Sequence, residues 1–277
     1  MKKNKIIIRL KGGLGNQLFI YSYGFSFIKK NYDLLFDLKT GFFFDYYNRK
    51  PRLSELINDL KLINITHIFI YYFTKKYKKV ANLIFKSIII TESQSNVLLD
   101  INENDLLKKY IFIEGYFQSL NYFYSYKSDL YNKIEFPELI KQQTSFFSER
   151  IINSNSVSIH VRRKQYDNHL PSDYYYKAID IVLNKVKDSI FFIFSDDHDW
   201  CKKNLPNTAN YVFVEGFKDE LCDLYLMSLC KCNIIANSSF SWWGAWLTNK
   251  ENKIVIAPIN TQIGVSDYFY PDNWIRI

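Results

Sequence analysis

No apolar run in this 277-residue chain reaches the ~20 residues that a helix needs to cross a bilayer, so a helical membrane span is excluded. No secretory leader is expected either. Met1-Lys2-Lys3-Asn4-Lys5 is basic, but Ile6–Leu10 is too short for a signal core and Arg9 and Lys11 interrupt it. Cysteine is scarce: Cys201, Cys222, Cys230 and Cys232 are all there is, and Cys230-Lys231-Cys232 lacks the two-residue spacer of most zinc and redox pairs. Buried thiols in a reducing compartment, and no metal site, are the expectation. The glycines near the N-terminus fit neither the dinucleotide fingerprint nor a P-loop. Together these absences predict a cytoplasmic protein.

What is present predicts a folded chain. Hydrophobic residues make up 48%, enough for a substantial core and too many for disorder, and the length suits two half-domains. Aromatics are plentiful, with 23 Phe and 22 Tyr, and the formal net charge is +8. Three partners answer such a charge: nucleic acid, an anionic membrane surface, or a phosphorylated small substrate. The basic residues spread over no recognised nucleic-acid module, which argues against nucleic acid.

Along the chain, Lys5–Leu10 reads as a buried strand running into Lys11-Gly12-Gly13-Leu14-Gly15-Asn16-Gln17, and Leu18–Lys30 has helical spacing. A strand, a glycine-rich turn and a helix let a phosphate approach backbone N–H groups; they equally make a tight turn and nothing more. Pro51–Leu62 reads as a short helix. From His67 to Lys86 five lysines interleave with aromatic and aliphatic residues. That pattern suits an interfacial, membrane-touching segment or a core helix with a solvated basic end. Tyr110–Ile113 reads as a strand, followed by a helical run to about Ile134, and Pro137 with the polar Gln142–Asn155 separates the halves. Domains of 1–150 and 151–277 are expected.

The second half alternates cleanly. Strands are expected at Val157–Val161, Ile190–Phe194, Tyr211–Val214, Asn233–Ala236 and Lys253–Ala257, with helices at Ser172–Lys187, Asp197–Lys203, Asp219–Lys231 and Ser241–Asn249. Such alternation predicts a parallel sheet covered by helices on both faces, with ligands beyond the strand carboxyl ends. There stand His160, Arg162 and Arg163, where a strand stops in two guanidinium groups and an imidazole. Guanidinium forks match diphosphate oxygens, although solvated arginines at a strand edge would look the same. Asn237-Ser238-Ser239-Phe240-Ser241 opens a helix with hydroxyls and free N–H groups, an anion site, and its three tryptophans have the spacing of packing residues. Asp196 and Asp197 follow the strand Ile190–Phe194 and could accept the N–H groups of a purine edge.

Five ordered motifs carry a resemblance: Gly12-Gly13-Leu14-Gly15-Asn16-Gln17-Leu18-Phe19, Gly115-Tyr116-Phe117-Gln118-Ser119, His160-Val161-Arg162-Arg163, Asp223-Leu224-Tyr225-Leu226-Met227-Ser228, and Ile234-Ile235-Ala236-Asn237-Ser238-Ser239-Phe240-Ser241-Trp242-Trp243. The chain resembles glycosyltransferase family 11, the inverting alpha-1,2-fucosyltransferases that use GDP-fucose. The resemblance implies a GT-B-like α/β fold: two Rossmann-type half-domains around a cleft, with a parallel sheet in the C-terminal half that binds the GDP-sugar. It implies a cytoplasmic bacterial enzyme with no metal and no cofactor beyond the GDP-fucose donor. The acceptor would be a galactoside or lipid-linked oligosaccharide in lipopolysaccharide or O-antigen synthesis, with peripheral contact at the inner membrane through residues 67–86.

In that reading Gly13, Gly15, Asn16, Gln17, His160, Arg162, Arg163, Asp196, Asp197, Asn237, Ser238, Ser239 and Phe240 bind the donor. Arg162 stabilises charge on the leaving phosphate, and Asp167 and Asp173 are the nearest carboxylates for a general base. One departure stands out. Where the family's usual pattern after the arginine pair is Gly-Asp-Tyr, this chain has Lys164-Gln165-Tyr166, so a carboxylate is missing. Another GDP-6-deoxy sugar as donor, or a non-catalytic GDP-sugar-binding relative, are the alternatives.

Overall fold

A computed structural model describes residues 4–30, 32–93, 98–99, 101–164, 168–250, 252–259 and 268–277. Gln165, Tyr166 and Asp167 therefore lie outside the described residues. The chain divides into two compact units, Met1–Glu135 with Gly264–Phe269, and Phe136–Ile263 with Tyr270–Ile277.

The first unit is built on four parallel strands: β1 (Lys5–Arg9), β2 (Asp33–Asp37), β3 (Ser87–Thr91) and β4 (Tyr110–Glu114), in the order β2-β1-β4-β3. The central strands read Ile-Ile-Ile and Ile-Phe-Ile at their buried positions, as expected for strands covered on both faces. Helix α1 (Leu14–Lys29) starts four residues before the expected Leu18 and takes Gly15, Asn16 and Gln17 into its first turn. The stretch 51–62 departs further from expectation, holding only a 3₁₀ turn at Leu53–Glu55 where a helix was expected. Strands β2 and β3 have no counterpart among the expected elements. Their apolar cores are only three residues long and leave little period to detect.

Helices α2 (Ile65–Lys76) and α3 (Lys78–Phe85) lead into β3, joined by a Phe69–Phe73–Phe85 ring cluster. Short helices α4 (Glu103–Leu106) and α5 (Lys127–Lys133) complete the unit; two 3₁₀ turns replace the start of the helical run expected before Ile134.

The second unit opens with α6 (Glu138–Gln143) and α7 (Ser145–Ile152), so most of the polar stretch 142–155 is helical. A six-stranded parallel sheet follows: β5 (Asn155–Val161), β6 (Ser189–Ser195), β7 (Asn210–Phe213), β8 (Cys232–Ile234), β9 (Val255–Ala257) and the short β10 (Ile275–Arg276). Its order is β10-β9-β8-β5-β6-β7, the arrangement of a doubly wound nucleotide-binding sheet, with the chain reversing direction of travel between β5 and β8. Helices α8 (Ser172–Lys185), α9 (His198–Asn204), α10 (Glu220–Leu229) and α11 (Ser239–Leu247) cross between strands. Each follows a parallel strand, so each begins at the carboxyl edge of the sheet.

Every residue of β5 from Ser156 to Val161 is buried, polar and apolar positions alike, as for a strand covered on both faces. Apolar Val157, Ile159 and Val161 join the core under α8 with Ala178, Ile179 and Val182, while Leu183 is at the surface. On the other face Ser158 accepts from the Asn233 amide at 2.8 Å, and that amide's oxygen accepts from Thr248 at 3.1 Å. This polar pair is sealed by α10 and α11, whose Trp242, Trp243 and Trp246 are buried as packing residues.

Candidate functional site

At the switch point the carboxyl ends of β5 and β8 lie side by side, so the loops leaving these two strands can meet. His160 closes β5 on the α11 face, its ring centroid 5.7 Å from that of Phe240. The imidazole is buried, its Nδ1 has no hydrogen-bond partner among the described residues, and desolvation with help from the Arg162 charge pushes its pKa down to about 3. It is a neutral ring at any physiological pH.

Arg162 emerges from this edge half-buried, its Nη1 3.1 Å from Oδ2 of Asp196. The same carboxylate accepts from the backbone N–H of Arg163 at 2.7 Å and of Lys164 at 3.1 Å. Asp196 is thus the clasp of the loop after β5, and its oxygens are engaged by that loop rather than offered to a ligand. Arg163 turns away from the edge, its guanidinium 4.3 Å from the Trp200 ring centroid and donating to the Leu170 carbonyl at 3.4 Å. Asn237 ties down the far side of the loop by donating to the Asn168 carbonyl at 2.9 Å. Arg163 and Asn237 hold the loop in place, and Arg162 is the arginine with nitrogens to spare among the described residues.

The start of α11 is held by serine caps. Ser238 is its N-cap, accepting from the Phe240 N–H at 3.3 Å, and Ser241 Oγ returns to the Ser238 carbonyl at 3.2 Å. Ser239 opens the helix beside it. Asp197 caps α9, accepting from the Trp200 N–H at 3.0 Å. Asp173 lies exposed in the first turn of α8, whose N-cap is Pro171.

One further residue of this edge belongs to a sequence motif without having a role there. Asp223, in the first turn of α10, has no hydrogen-bond or ion-pair partner among the described residues, and burial beside Glu220 and Asp219 raises its pKa from 3.8 to about 7. The available signal was an aspartate at the start of a helix leaving the sheet's carboxyl edge; its lack of a partner is visible only in three dimensions.

The glycine-turn residues belong to the first unit. Gly12 has φ +76°, and a Cβ there would meet the Asn16 amide at 2.8 Å, so the conformational demand falls on Gly12 rather than Gly13. Gly13 is the N-cap of α1 and Gly15 is buried inside it. Gln17 is wholly buried and saturated: its amide donates to the Gly12 and Lys50 carbonyls and accepts from the Arg52 and Leu53 N–H groups, all within 3.2 Å. It fastens the loop at 50–53 to the turn. Asn16 accepts from the Gln118 amide at 2.8 Å, linking the first two motifs. Lys11, half-buried over the Tyr116 ring at 4.2 Å, has its pKa lowered mainly by desolvation.

All four cysteines are buried thiols, and among the described residues no group of His, Cys, Asp and Glu could hold a metal ion.

A doubly wound parallel sheet that gathers an arginine, a neutral histidine and a serine-capped helix at its switch point marks a protein of the doubly wound α/β class. A family profile described as glycosyl transferase family 11 matches residues 5–277, and the chain belongs to that family. The alpha-1,2-colitosyltransferase of Escherichia coli is 32% identical, with 98% of each chain covered. The O-antigen biosynthesis glycosyltransferase WbnK of Escherichia coli is 30% identical, with 97% of this chain and 99% of the relative covered.

Among solved structures, fucosyltransferase NodZ from Bradyrhizobium superposes with a TM-score of 0.53 at 12% identity, covering 88% of this chain and 92% of its own. POFUT1 in complex with GDP-fucose gives 0.52 at 12%, covering 92% and 98%. At those identities the likeness is one of fold: α/β, GT-B-like, with parallel sheets.

Proposed function

We propose that this glycosyltransferase moves L-fucose from GDP-fucose to the 2-hydroxyl of a galactoside, forming an α-1,2 linkage with inversion during surface polysaccharide or O-antigen synthesis. The observation that carries the reading is Arg162, which stands at the switch point with one edge on Asp196 and no other hydrogen bond among the described residues. Its remaining nitrogens suit a diphosphate.

In the proposed mechanism the acceptor oxygen attacks the sugar C1 in line with the departing GDP. Arg162 takes up charge on the β-phosphate, with Ser238, Ser239 and the first N–H groups of α11 alongside. A unit charge pair ~4 Å apart is worth ~4 kcal/mol at an effective dielectric of 20, enough to do without a metal ion. His160, neutral by burial, contributes hydrogen bonding and shape near the donor without adding a charge.

Asp223 becomes the carboxylate for the purine edge, since Asp196 and Asp197 are occupied by backbone N–H groups. Gly13, Gly15, Asn16 and Gln17 shape the turn at the head of α1 on the acceptor side. Asp173 is the candidate base among the described residues, and Asp167 remains a second candidate. A lipid-carried acceptor would bring the protein to the membrane as a peripheral enzyme. No helix of the described residues is long and apolar enough to cross a membrane.

A second reading keeps the chemistry and changes the sugar to another GDP-6-deoxy hexose. It is favoured by Lys164-Gln165 in place of the family's Gly-Asp and by the name of the 32%-identical relative. A donor panel separates the two: purified protein is offered GDP-fucose, other GDP-6-deoxy sugars and GDP-mannose, with and without EDTA. Turnover of GDP-fucose above the others, unchanged by EDTA, is expected. Turnover of a different donor supports the second reading, and neither binding nor turnover of any GDP-sugar overturns both.

A further inference from the structure

The helix pair α2–α3 buries the wrong amount of itself. On α2, His67, Ile70, Tyr71 and Thr74 face the sheet, as a four-residue period requires. The opposite stripe, Ile65, Phe69 and Tyr72, is exposed rather than polar. Helix α3 buries only Ala81, while Val80, Leu83 and Ile84 point out as one apolar ridge, Leu83 being 83% exposed. Aromatic contacts between Phe69, Phe73, Tyr77 and Phe85 tie the two helices together beneath this ridge. Lys76, Lys78, Lys79 and Lys86 surround it, all exposed and none in an ion pair among the described residues. No acidic residue occurs between Asp59 and Glu92.

We infer that the outward ridge of α2–α3 is a docking surface for an anionic lipid bilayer, with Val80, Leu83 and Ile84 entering the interface and the lysines resting on the headgroups. The charge selects the occupant. A second copy would bring two sets of unanswered lysines together, and a nucleic acid would leave the ridge in water. A bilayer with anionic lipid satisfies both halves at once, the apolar ridge by burial and each lysine by attraction worth about fivefold in partitioning. The inference deepens the proposed peripheral membrane contact, and donor and acceptor play no part in it.

Cosedimentation with phosphatidylcholine vesicles, with and without 30% phosphatidylglycerol, tests it. The wild-type chain should partition at least ~10-fold more strongly onto the anionic vesicles, and 0.5 M salt should remove most of that preference. Lys76→Glu/Lys78→Glu/Lys79→Glu and, separately, Leu83→Ser/Ile84→Ser should each lose it at least ~10-fold. Both sets are surface changes, so GDP-sugar binding in solution should be unaltered. No preference for anionic vesicles, or retention unchanged in both variants, overturns the surface. So does sedimentation without vesicles that Leu83→Ser/Ile84→Ser abolishes, because the ridge then pairs copies. Loss of lipid binding with donor binding intact leaves the transferase reading standing, and the reverse result separates them equally.

Discussion

Arg162 and Arg163 are neighbours in sequence and do different work. One is tethered at a single nitrogen, 3.1 Å from Asp196; the other stacks on Trp200 and holds a carbonyl. In Arg162→Ala the Asp196 carboxylate keeps its two backbone donors, so the loop should stay in place. Transfer should fall about 10³-fold in kcat, the scale of losing one preorganised oxyanion donor, with the melting temperature little changed. Steady-state kinetics beside a thermal melt checks this, and a variant within tenfold of wild type would remove Arg162 from the mechanism. The motif His160-Val161-Arg162-Arg163 was plain in the sequence. Which arginine is spare was not, because that depends on Trp200 and Asp196, more than 30 residues away.

At the scale of elements, the sequence showed the strand-turn-helix unit at the N-terminus but not what closes it. The resemblance placed Gln17 among the donor-binding residues of the glycine-rich turn; in the structure it is a buried bracket with four backbone bonds. Gln17→Leu keeps the volume and strands those backbone groups. The expected cost is about 2–4 kcal/mol, since each buried unsatisfied group costs ~1–3 kcal/mol and some will find water. Denaturant unfolding measures it, and a loss below 0.5 kcal/mol would show the bracket to be dispensable. The alternating second half was legible because its helices and strands have strong, different periods. The region from 31 to 105 was not, because its strands are short and its helices carry apolar residues on both faces.

For the whole molecule, the sheet order concentrates helix N-termini and their acids at one edge, and Asp223 is a cost of that arrangement. Its folded pKa of about 7 lies above the ordinary 3.8. Between those values the folded state binds more protons than the unfolded one, so this group's contribution makes stability fall as pH rises through the window and stay lower above it. Asp223→Asn should therefore stabilise the protein at pH 8, on the order of 1–3 kcal/mol after allowing for solvent near the group, and do little at pH 4. Urea melts at the two pH values test this; equal effects at both would mean that the carboxyl is not held in its acid form. The same variant should weaken GDP-sugar binding if Asp223 meets the purine edge, stability being given up at a functional site.

Hydrophobic period and contiguous motifs are local properties, so the α/β class, the parallel second sheet and the family were readable from the order of residues alone. Roles were assigned by folding. Asp196 became a clasp, Arg163 a brace, Gln17 a bracket and Asp223 a carboxylate without a partner among the described residues. Whether a polar side chain is spent on its own protein or left for a ligand depends on partners that the chain brings near only when it folds.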